Sequence, residues 1–473
     1  MTTAVLPLAA ETPEINEAAT AFMLVAASMV LLMTPGLALF YGGMTRAKSV
    51  LNMIMMSFGA LGVVGVIYML WGYSMSFGNL QDGTSDVAGL FANPFHLFGL
   101  SGLFGEDGTR LIDPFGVGVW IPETIYVGFQ LTFAVITVAL ISGAVADRVK
   151  FGTWLVFAAV WATLVYFPVA HMVWGGGLLS GAEGGLPARM FGATDGLANV
   201  LPIDFAGGTV VHINAGIAGL VLALIVGKRL GFGTQAMRPQ NVPIVMLGAG
   251  LLWFGWFGFN AGSELAADGL ASTVWLNTTA ATCAAMLGWL LVERVRDGHA
   301  TSIGAASGVV AGLVAITPAC GALSPVGSLI LGAVAGGLAA LAVGLKYKLG
   351  YDDSLDVVGV HLVAGLWGTV GAGLLSTSTG LFYGGGVRQL VVQVVIALAS
   401  LLISGVLTAV IALALKATLG WRVDREVEAD GIDQAVHGET GYDLGGVSGG
   451  RFGSGAPVAT PAPGAKTPEG AKA

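Results

Sequence analysis

Long hydrophobic runs, separated by short polar segments, recur along most of the chain. A helix needs about 20 apolar residues to cross a bilayer, and eleven runs approach or exceed that length. They start near Ala19, Leu51, Trp120, Phe151, Phe205, Val242, Ser272, Thr301, Val326, Asp356 and Gln389. The eighth run is the shortest and is rich in glycine. The pattern therefore predicts an all-α, polytopic membrane protein with eleven transmembrane helices.

The composition agrees with a membrane environment. Of the 473 residues, 55% are hydrophobic and 10% are charged, whereas about a quarter of the residues in a soluble domain are charged. The 74 glycines suit a membrane bundle, because small residues let helices approach closely. We therefore expect the chain to be embedded in lipid, and we expect no nucleic-acid partner.

The positions of lysine and arginine predict the orientation, because cytoplasmic loops retain these residues. The loops after odd-numbered runs, up to the ninth, carry eleven of them, and the loops after even-numbered runs carry only three, Arg110, Arg189 and Arg388. This places the amino terminus outside and the carboxyl terminus inside. No basic segment precedes the first run, so we expect a transmembrane helix there rather than a cleaved signal peptide.

The motif Val-His-x-x-Ala-Gly occurs twice, at 211–216 and at 360–365. The two copies lie in the fifth and tenth runs, each the last member of a set of five. The fifth run is predicted to cross inward and the tenth outward. The same motif in opposite orientations indicates a pseudo-twofold inverted repeat of five helices.

This motif places His212 and His361 inside apolar runs, each behind an aspartate, Asp204 and Asp356. A single histidine in a membrane helix is more often a packing residue, but two in matching motifs favour a role in a pore. Neutral imidazoles offer a donor and an acceptor to a small polar molecule and can relay a proton. Each aspartate is interpreted first as a helix cap. Asp204 can also shape a nearby cation site through its charge.

Aromatic residues form a second candidate group. Trp174 ends the fourth run, Phe129 and Phe133 lie one turn apart in the third, and Phe259 lies in the sixth. Aromatic residues near a bilayer interface usually serve packing. The alternative is an external cation–π site, with the Ser263 hydroxyl as an acceptor and with ring faces that block a pore below it.

Other chemistry is not indicated. The sequence has no P-loop, Rossmann fingerprint, CxxC or His-Glu-x-x-His motif. Its two cysteines, Cys283 and Cys320, lack metal-ligand spacing. We therefore expect no cofactor, no metal and no catalytic residue, and the chain is not expected to be an enzyme.

At 204–220, 253–263 and 356–365 the sequence closely resembles the ammonium transporter (Amt/Mep/Rh) family, and its bacterial Amt branch in particular. The resemblance continues through 170–177 and 317–321 and covers most of the chain. It implies a multi-pass protein of the plasma membrane that forms a homotrimer with one pore in each subunit.

The resemblance also implies a role for each candidate residue. The external ammonium site is formed by Trp174, Phe129, Phe133 and Ser263, with Asp204 as a supporting residue. The pore contains His212 and His361 as twin histidines, Phe133 and Phe259 as a stacked gate, and Trp256 as a lining residue.

We expect four parts along the chain. These are an external N-terminal segment at 1–18, a transmembrane transporter domain at 19–420, a cytoplasmic regulatory tail at 421–444 and a disordered end rich in Gly, Pro and Ala at 445–473. Segment 431–439 and Tyr442 resemble the tail of the family, which couples subunits and lies near the docking surface for a PII-type nitrogen signal protein.

The predicted function is nitrogen uptake by channel-like ammonium transport. Ammonium or methylammonium is recruited at the external aromatic site, loses its proton in the apolar pore and crosses in the neutral form, for ammonium as ammonia. Separate passage of the proton through the protein is left open by the sequence. Two alternatives are an ammonium sensor with low flux that signals through its tail, and a channel for neutral gases.

Overall fold

The computed structural model describes residues 13–80, 86–105 and 108–442. Within these ranges the chain is mostly helical, and its strands are two residues long and lie in loops. Three predicted features lie outside the described residues: the first part of the N-terminal segment (1–12), the last part of the tail (443–444) and the disordered end (445–473).

The apolar helices follow the order of the predicted runs. They are α1 (Glu17–Met44), α2 (Ala47–Phe77), α3 (Glu123–Val145), α4 (Phe151–Trp174), α5 (Gly208–Val226), α6 (Val242–Glu264), α7 (Gly269–Asp297), α8 (Ser302–Ile316), α9 (Pro325–Leu349), α10 (Val358–Leu375) and α11 (Arg388–Thr418). In the described ranges, ten of them are long and apolar enough to cross a membrane, and α8, with 15 residues, is shorter. At about 1.5 Å per residue α8 spans about 22 Å, less than the hydrocarbon core of about 30 Å. The eleventh crossing therefore stays a prediction.

Short elements fill the connections. Between α2 and α3, strand β1 (Asp86–Val87) pairs antiparallel with β2 (Phe91–Ala92), β3 (Phe104–Gly105) with β4 (Gly108–Thr109), and β5 (Leu111–Ile112) with β6 (Ile121–Pro122). Between α4 and α5, a helix at Leu186–Phe191 precedes the hairpin of β7 (Ala193–Thr194) and β8 (Leu197–Ala198). After α11 come a helix at Arg425–Asp430 and a π-helical turn at Asp433–His437.

Polar side chains begin several of the long helices. Asn16 accepts a hydrogen bond from the Ala19 amide at 2.9 Å before α1, and Ser324 accepts one from the Gly327 amide at 3.1 Å before α9. Such caps satisfy amide groups that have no partner in the first turn of a helix. They explain why these helices begin within a few residues of the apolar runs.

Glycines let neighbouring helices pack backbone against backbone. A Cβ atom on Gly248 of α6 would lie 2.4 Å from the amide nitrogen of Phe40 in α1. A Cβ atom on Gly336 of α9 would lie 1.9 Å from the carbonyl oxygen of Ala285 in α7. Close contact of this kind is how membrane helices associate without a hydrophobic driving force between them.

Four π-helical turns interrupt the long helices. Two of them open the histidine helices, at Gly208–Ile213 in α5 and at Val358–Val363 in α10. The other two lie at Tyr68–Gly72 in α2 and at Ala162–Tyr166 in α4. Such turns are rare and often occur at functional sites.

The histidine helices begin two or three residues later than their apolar runs. The backbone just before each helix has a positive φ, 116° at Gly207 and 64° at Asp356. That conformation is incompatible with a right-handed helix, so α5 and α10 begin only after it.

Burial differs between the helices. In the most apolar stretches of α3, α5 and α10, 78%, 72% and 72% of residues are buried, against 33% in α11. Large apolar side chains of α11, such as Leu402 and Val406, are 61% and 60% exposed. The histidine helices and α3 therefore form the interior of the bundle, and α11 presents an apolar surface suited to lipid.

Candidate functional site

The two histidines of the repeated motif meet inside the bundle. The exposed fractions of His212 and His361 are 1% and 3%. Their Nδ1 atoms are 3.4 Å apart, and their ring centroids are 5.5 Å apart with an interplanar angle of 22°. A hydrogen bond between these atoms requires one ring to donate from Nδ1 and the other to accept. The Nε2 atom of His212 has no partner in the described part of the chain, so it is available to a small polar molecule.

Aromatic rings continue from the histidine pair to Trp174. The Phe259 ring lies 6.1 Å from the His212 ring and stacks on Phe133 at 4.0 Å and 17°. Phe133 contacts Phe129 at 4.8 Å and meets the Trp174 ring edge-on at 5.9 Å. The structure therefore brings the aromatic candidates and the histidines into one continuous series, which we call the ring column.

Trp256 lies beside this column. Its ring is nearly parallel to that of His212, at 5.4 Å and 16°. The indole Nε1 donates a hydrogen bond to the Thr317 hydroxyl oxygen at 2.9 Å, and that hydroxyl donates to the Leu313 carbonyl at 2.8 Å. The hydrogen bond from Trp256 to Thr317 fixes the indole against the imidazole.

A narrow cavity lies between these rings. Its volume is about 10 Å³, and it is lined by both histidines, Trp256, Phe259 and apolar side chains of α1, α3, α5, α6 and α8. A volume of about 10 to 15 Å³ is the least that holds one water molecule. The cavity therefore suits a single small molecule that has left its hydration shell.

Asp204 binds the first turn of the His212 helix. Its carboxylate accepts hydrogen bonds from the amides of Gly207 at 3.0 Å and Thr209 at 2.9 Å, and also from the Gly208 amide and the Thr209 hydroxyl. Its backbone carbonyl accepts a hydrogen bond from Trp174 Nε1 at 2.9 Å. Burial raises the pKa of the Asp204 carboxyl, and the hydrogen bonds from Thr209 oppose that shift. Asp204 therefore holds α5 and Trp174 in a fixed relation.

Ser263 lies in the 3-10 turn that ends α6. Its hydroxyl donates to the carbonyl of Phe259 at 2.8 Å. Because the proton is used in this bond, the oxygen lone pairs remain to accept from a donor. Ser263 is thereby linked to the ring column through Phe259.

The cap of α10 differs from the one predicted. Asp353, and not Asp356, accepts the amide hydrogens of Val357 at 3.1 Å and Val358 at 2.7 Å. Asp356 has a left-handed backbone and instead binds Lys346 Nζ at 2.6 Å. Burial raises the pKa of Asp353 to about 6, Lys346 opposes this shift and Asp356 adds to it.

Sequence reasoning gave no role to Thr209, Thr317 or Asp353. Thr209 and Asp353 lie close to the motif histidines in the sequence, so a search for polar residues near each histidine could have found them. Thr317 is 61 residues from its partner Trp256, and only the fold brings the two together.

Comparison with known proteins identifies the family. A family-wide profile described as Ammonium Transporter Family matches residues 21–442. An ammonium transporter of Mycobacterium tuberculosis is 55% identical over 450 residues, which cover 91% of this chain and 91% of that protein. An ammonium transporter of Aquifex aeolicus is 47% identical over 435 residues, which cover 90% of this chain and 93% of that protein.

Solved structures agree with this result. The crystal structure of Saccharomyces cerevisiae Mep2 is similar with a TM-score of 0.73 at 29% identity, covering 87% of this chain and 88% of that one. A structure named Sensor Amt Protein is similar with a TM-score of 0.75 at 26% identity, covering 88% and 98%. The curated relatives are named as transporters and not as enzymes. The chain, a multi-pass membrane protein, belongs to the ammonium transporter family.

Proposed function

We propose that the protein takes up ammonium across the plasma membrane by binding it at an external aromatic site, removing its proton and conducting ammonia through the histidine-lined pore. The observation that carries the proposal is the ring column, which leads from Trp174 through Phe133 and Phe259 to the hydrogen-bonded pair of His212 and His361. The column ends beside a cavity of about 10 Å³.

The external site is suited to a small cation with N–H donors. The rings of Trp174, Phe129 and Phe133 provide cation–π attraction, worth about 0.5 to 2 kcal/mol for each favourable ring. The Ser263 oxygen accepts a hydrogen bond. Asp204 adds negative charge and holds Trp174 in place, but the first turn of α5 already occupies its carboxylate. Methylammonium fits the same description because it keeps three N–H donors.

Selectivity follows from the loss of charge. Placing a bare cation in an apolar environment costs several kcal/mol or more, and the cavity has no room for a hydration shell. Ammonium avoids this cost by leaving its proton behind. Potassium has no proton to lose, so the pore excludes it despite its similar size.

The twin histidines then replace water for the neutral molecule. Ammonia can donate and accept hydrogen bonds, and the pair of His212 and His361 offers both a donor and an acceptor. The stacked rings of Phe133 and Phe259, 4.0 Å apart, close the path above the histidines. Passage therefore requires one of these rings to rotate.

The proposal includes the predicted topology of eleven transmembrane helices, with the amino terminus outside and the carboxyl terminus inside. Matching π-helical turns open α5 and α10. His212 is the fifth residue of the turn in α5, and His361 is the fourth residue of the turn in α10. This similarity supports the inverted repeat. The four predicted parts of the chain and the homotrimer with one pore in each subunit belong to the same proposal.

The proposed regulatory tail contacts the start of α2. The carboxylate of Asp433 accepts the amides of Leu51 at 2.9 Å and Asn52 at 2.8 Å, and His437 Nε2 lies 3.1 Å from Asn52 Oδ1. These contacts support a cytoplasmic tail that responds to the loop between α1 and α2. A PII-type nitrogen signal protein is the partner we propose at this face.

Reconstituted full-length protein tests the mechanism. Ammonium-evoked current and potassium current are measured for wild type and His212→Ala, and we expect the variant to discriminate less well between the two ions. Thr282→Val is a matched control, because among the described residues the Thr282 hydroxyl bonds only the Thr278 carbonyl of its own helix, at 2.7 Å. Unchanged selectivity in His212→Ala would remove the histidines from the mechanism.

The two alternatives are less well supported. The relatives named as transporters are 55% and 47% identical to this chain, and the structure named as a sensor is 26% identical. A channel for neutral gases does not need an outer site suited to cations, so the external aromatic site does not support that alternative. Methylammonium uptake by the full chain and by a chain truncated after Trp421 separates transporter from sensor, since a sensor gives little flux in either form.

A further inference from the structure

The loop between α2 and α3 carries a carboxylate that binds a histidine buried in α4. His171 is 0% exposed, and its Nε2 atom lies 2.7 Å from Oδ1 of Asp86, the first residue of strand β1. The Asp86 side chain is 34% exposed. The contact therefore joins the interior of the bundle to the protein surface. His171 is not one of the motif histidines, and the proposed function gives it no role.

Both ring nitrogens of His171 face oxygen atoms. Nδ1 lies 3.2 Å from the carbonyl oxygen of Ser76, near the end of α2. An ionised carboxylate has no proton to donate, so the shorter contact, with Asp86, places a proton on Nε2. The bond is therefore charge-assisted, and such bonds are about twice as strong as those between neutral groups.

The same histidine holds the turn that follows Trp174. Trp174 comes three residues after His171 and is the last residue of α4. The carbonyl oxygen of His171 accepts the amides of Gly175 at 2.9 Å and Gly177 at 3.1 Å. A Cβ atom on Gly175 would lie 2.8 Å from His171 Nδ1, and one on Gly177 would lie 2.9 Å from His171 Cδ2. The turn therefore packs directly against the imidazole ring, because neither glycine has a side chain.

The hairpin of β1 and β2 binds this region a second time. The Asp86 carboxylate accepts the Gly89 amide at 2.9 Å, and the Gly89 carbonyl accepts the Leu178 amide at 2.8 Å. Asp86 thus closes the hairpin on one side and binds His171 on the other. We call these three contacts, Asp86 with His171, Asp86 with Gly89 and Gly89 with Leu178, the loop clamp.

The position of Trp174 depends on two supports. Its indole Nε1 donates to the carbonyl of Asp204 at 2.9 Å, and its backbone is held by the loop clamp. The ring meets that of Phe133 edge-on at 5.9 Å, which makes it one wall of the proposed external site. A single hydrogen bond fixes only one atom of the indole. The direction of the ring face therefore also depends on where the end of α4 lies.

We propose that Asp86 and His171 are positioning residues of the external ammonium site, and that the loop clamp holds the end of α4 so that the face of the Trp174 ring lies toward the cation. This inference rests on the proposed function, in which Trp174 binds ammonium by cation–π attraction. It gives a task to the loop between α2 and α3. The Asp86 carboxylate acts through Trp174 and does not touch the substrate.

The test measures uptake of labelled methylammonium, over a range of concentrations, by cells that lack their own ammonium transporters and express the full-length protein. Asp86→Ala removes the carboxylate of the loop clamp. One favourable cation–π contact contributes a factor of about 2 to 30 in affinity. We therefore expect the half-saturation concentration to rise by a factor in that range, and the maximum rate, corrected for the amount of protein in the membrane, to stay near the wild-type value.

Asp113→Ala is the matched control, and it should keep the wild-type half-saturation concentration. It removes the same charge from the same loop. Among the described residues, the Asp113 carboxylate bonds only the Gly118 amide, at 2.6 Å. An effect of the overall negative charge on the approach of the cation would appear in both variants, whereas an effect on the position of Trp174 appears only in Asp86→Ala.

Trp174→Ala shows whether Asp86 acts through the indole ring. This variant removes the wall itself and should raise the half-saturation concentration on its own. Asp86→Ala should then change nothing further in the Trp174→Ala background, because the effects of residues that act through one another are not additive. A general structural role of Asp86 would give the same rise in both backgrounds.

Three outcomes would overturn the loop clamp. They are a wild-type half-saturation concentration in Asp86→Ala, an equal rise in Asp113→Ala, and a rise in Asp86→Ala that is undiminished when Trp174 is replaced. Failure of the proposed function has other signs: the wild type would take up no methylammonium, or Trp174→Ala would keep the wild-type half-saturation concentration.

Discussion

The hydrogen bond between Trp256 and Thr317 gives a sharp test of how the pore is held. Thr317→Val removes the hydroxyl that accepts from the indole Nε1 at 2.9 Å and leaves the shape of the side chain nearly unchanged. The indole is stacked on His212 at 5.4 Å. The substitution therefore alters the support of the histidine without touching the histidine itself.

The magnitude follows from burial. Trp256 is 2% exposed and Thr317 is fully buried, so the indole N–H loses its acceptor in an environment without bulk water. A buried donor left unsatisfied costs about 1 to 3 kcal/mol. That energy corresponds to a change of about 5-fold to 150-fold in the equilibrium between a held and a released indole. The cavity contribution is small because valine fills the same space.

Two measurements check this prediction. Thermal unfolding in detergent should show a lower midpoint for Thr317→Val than for wild type, and ammonia permeability in liposomes should fall several-fold. Thr317→Ser keeps the hydroxyl and should resemble the wild type in both assays. If the valine and serine variants behave alike, the hydrogen bond does not position the indole, and the proposed role of Trp256 in supporting His212 is wrong.

Three further predictions concern the gate, the helix contacts and a buried carboxyl. Phe259→Ala removes one ring of the stacked gate and should cost about 3 kcal/mol of stability. In current recordings the variant should discriminate less well against potassium. Retained discrimination would argue against a gate. Gly336→Ala should lower the unfolding midpoint, because its Cβ would lie 1.9 Å from the Ala285 carbonyl, whereas Gly62→Ala, with nothing within 4 Å of its Cβ, should not. Burial raises the pKa of Asp353 from 3.8 to about 6, so the folded protein binds more protons than the unfolded chain between these values. As the pH rises from about 4 to about 6, wild type should therefore lose stability relative to Asp353→Asn. If the difference between the thermal unfolding midpoints of the two proteins does not change with pH, the raised pKa of Asp353 is wrong.

The membrane helices were predictable because length and hydrophobicity suffice to identify them. The first run, predicted from Ala19, begins as α1 at Glu17, and the last, predicted from Gln389, begins as α11 at Arg388. The weakest prediction, the eighth run, is also the one whose helix is too short to qualify by length. The hydrophobic pattern thus indicates where a helix lies, and the prediction becomes less reliable as the run becomes shorter.

The π-helical turns were not predictable from the same pattern. A helix buried on all sides is apolar on all faces, so its sequence has no periodicity from which a local change of winding could be seen. The composition of Val358–Val363 is that of an ordinary buried helix.

The cap of α10 shows why candidate residues near a motif need the backbone conformation as well as the spacing. Asp353 and Asp356 both precede the His361 helix, and the residue nearer to the helix is the natural choice for a cap. The left-handed backbone at Asp356, with φ of 64°, is incompatible with a right-handed helix, and the first amides of the helix bond the Asp353 carboxylate instead. Lys346 then neutralises Asp356. Asp353 therefore performs the helix capping that the sequence assigned to Asp356, and Asp356 performs charge pairing, a task that sequence reasoning did not assign.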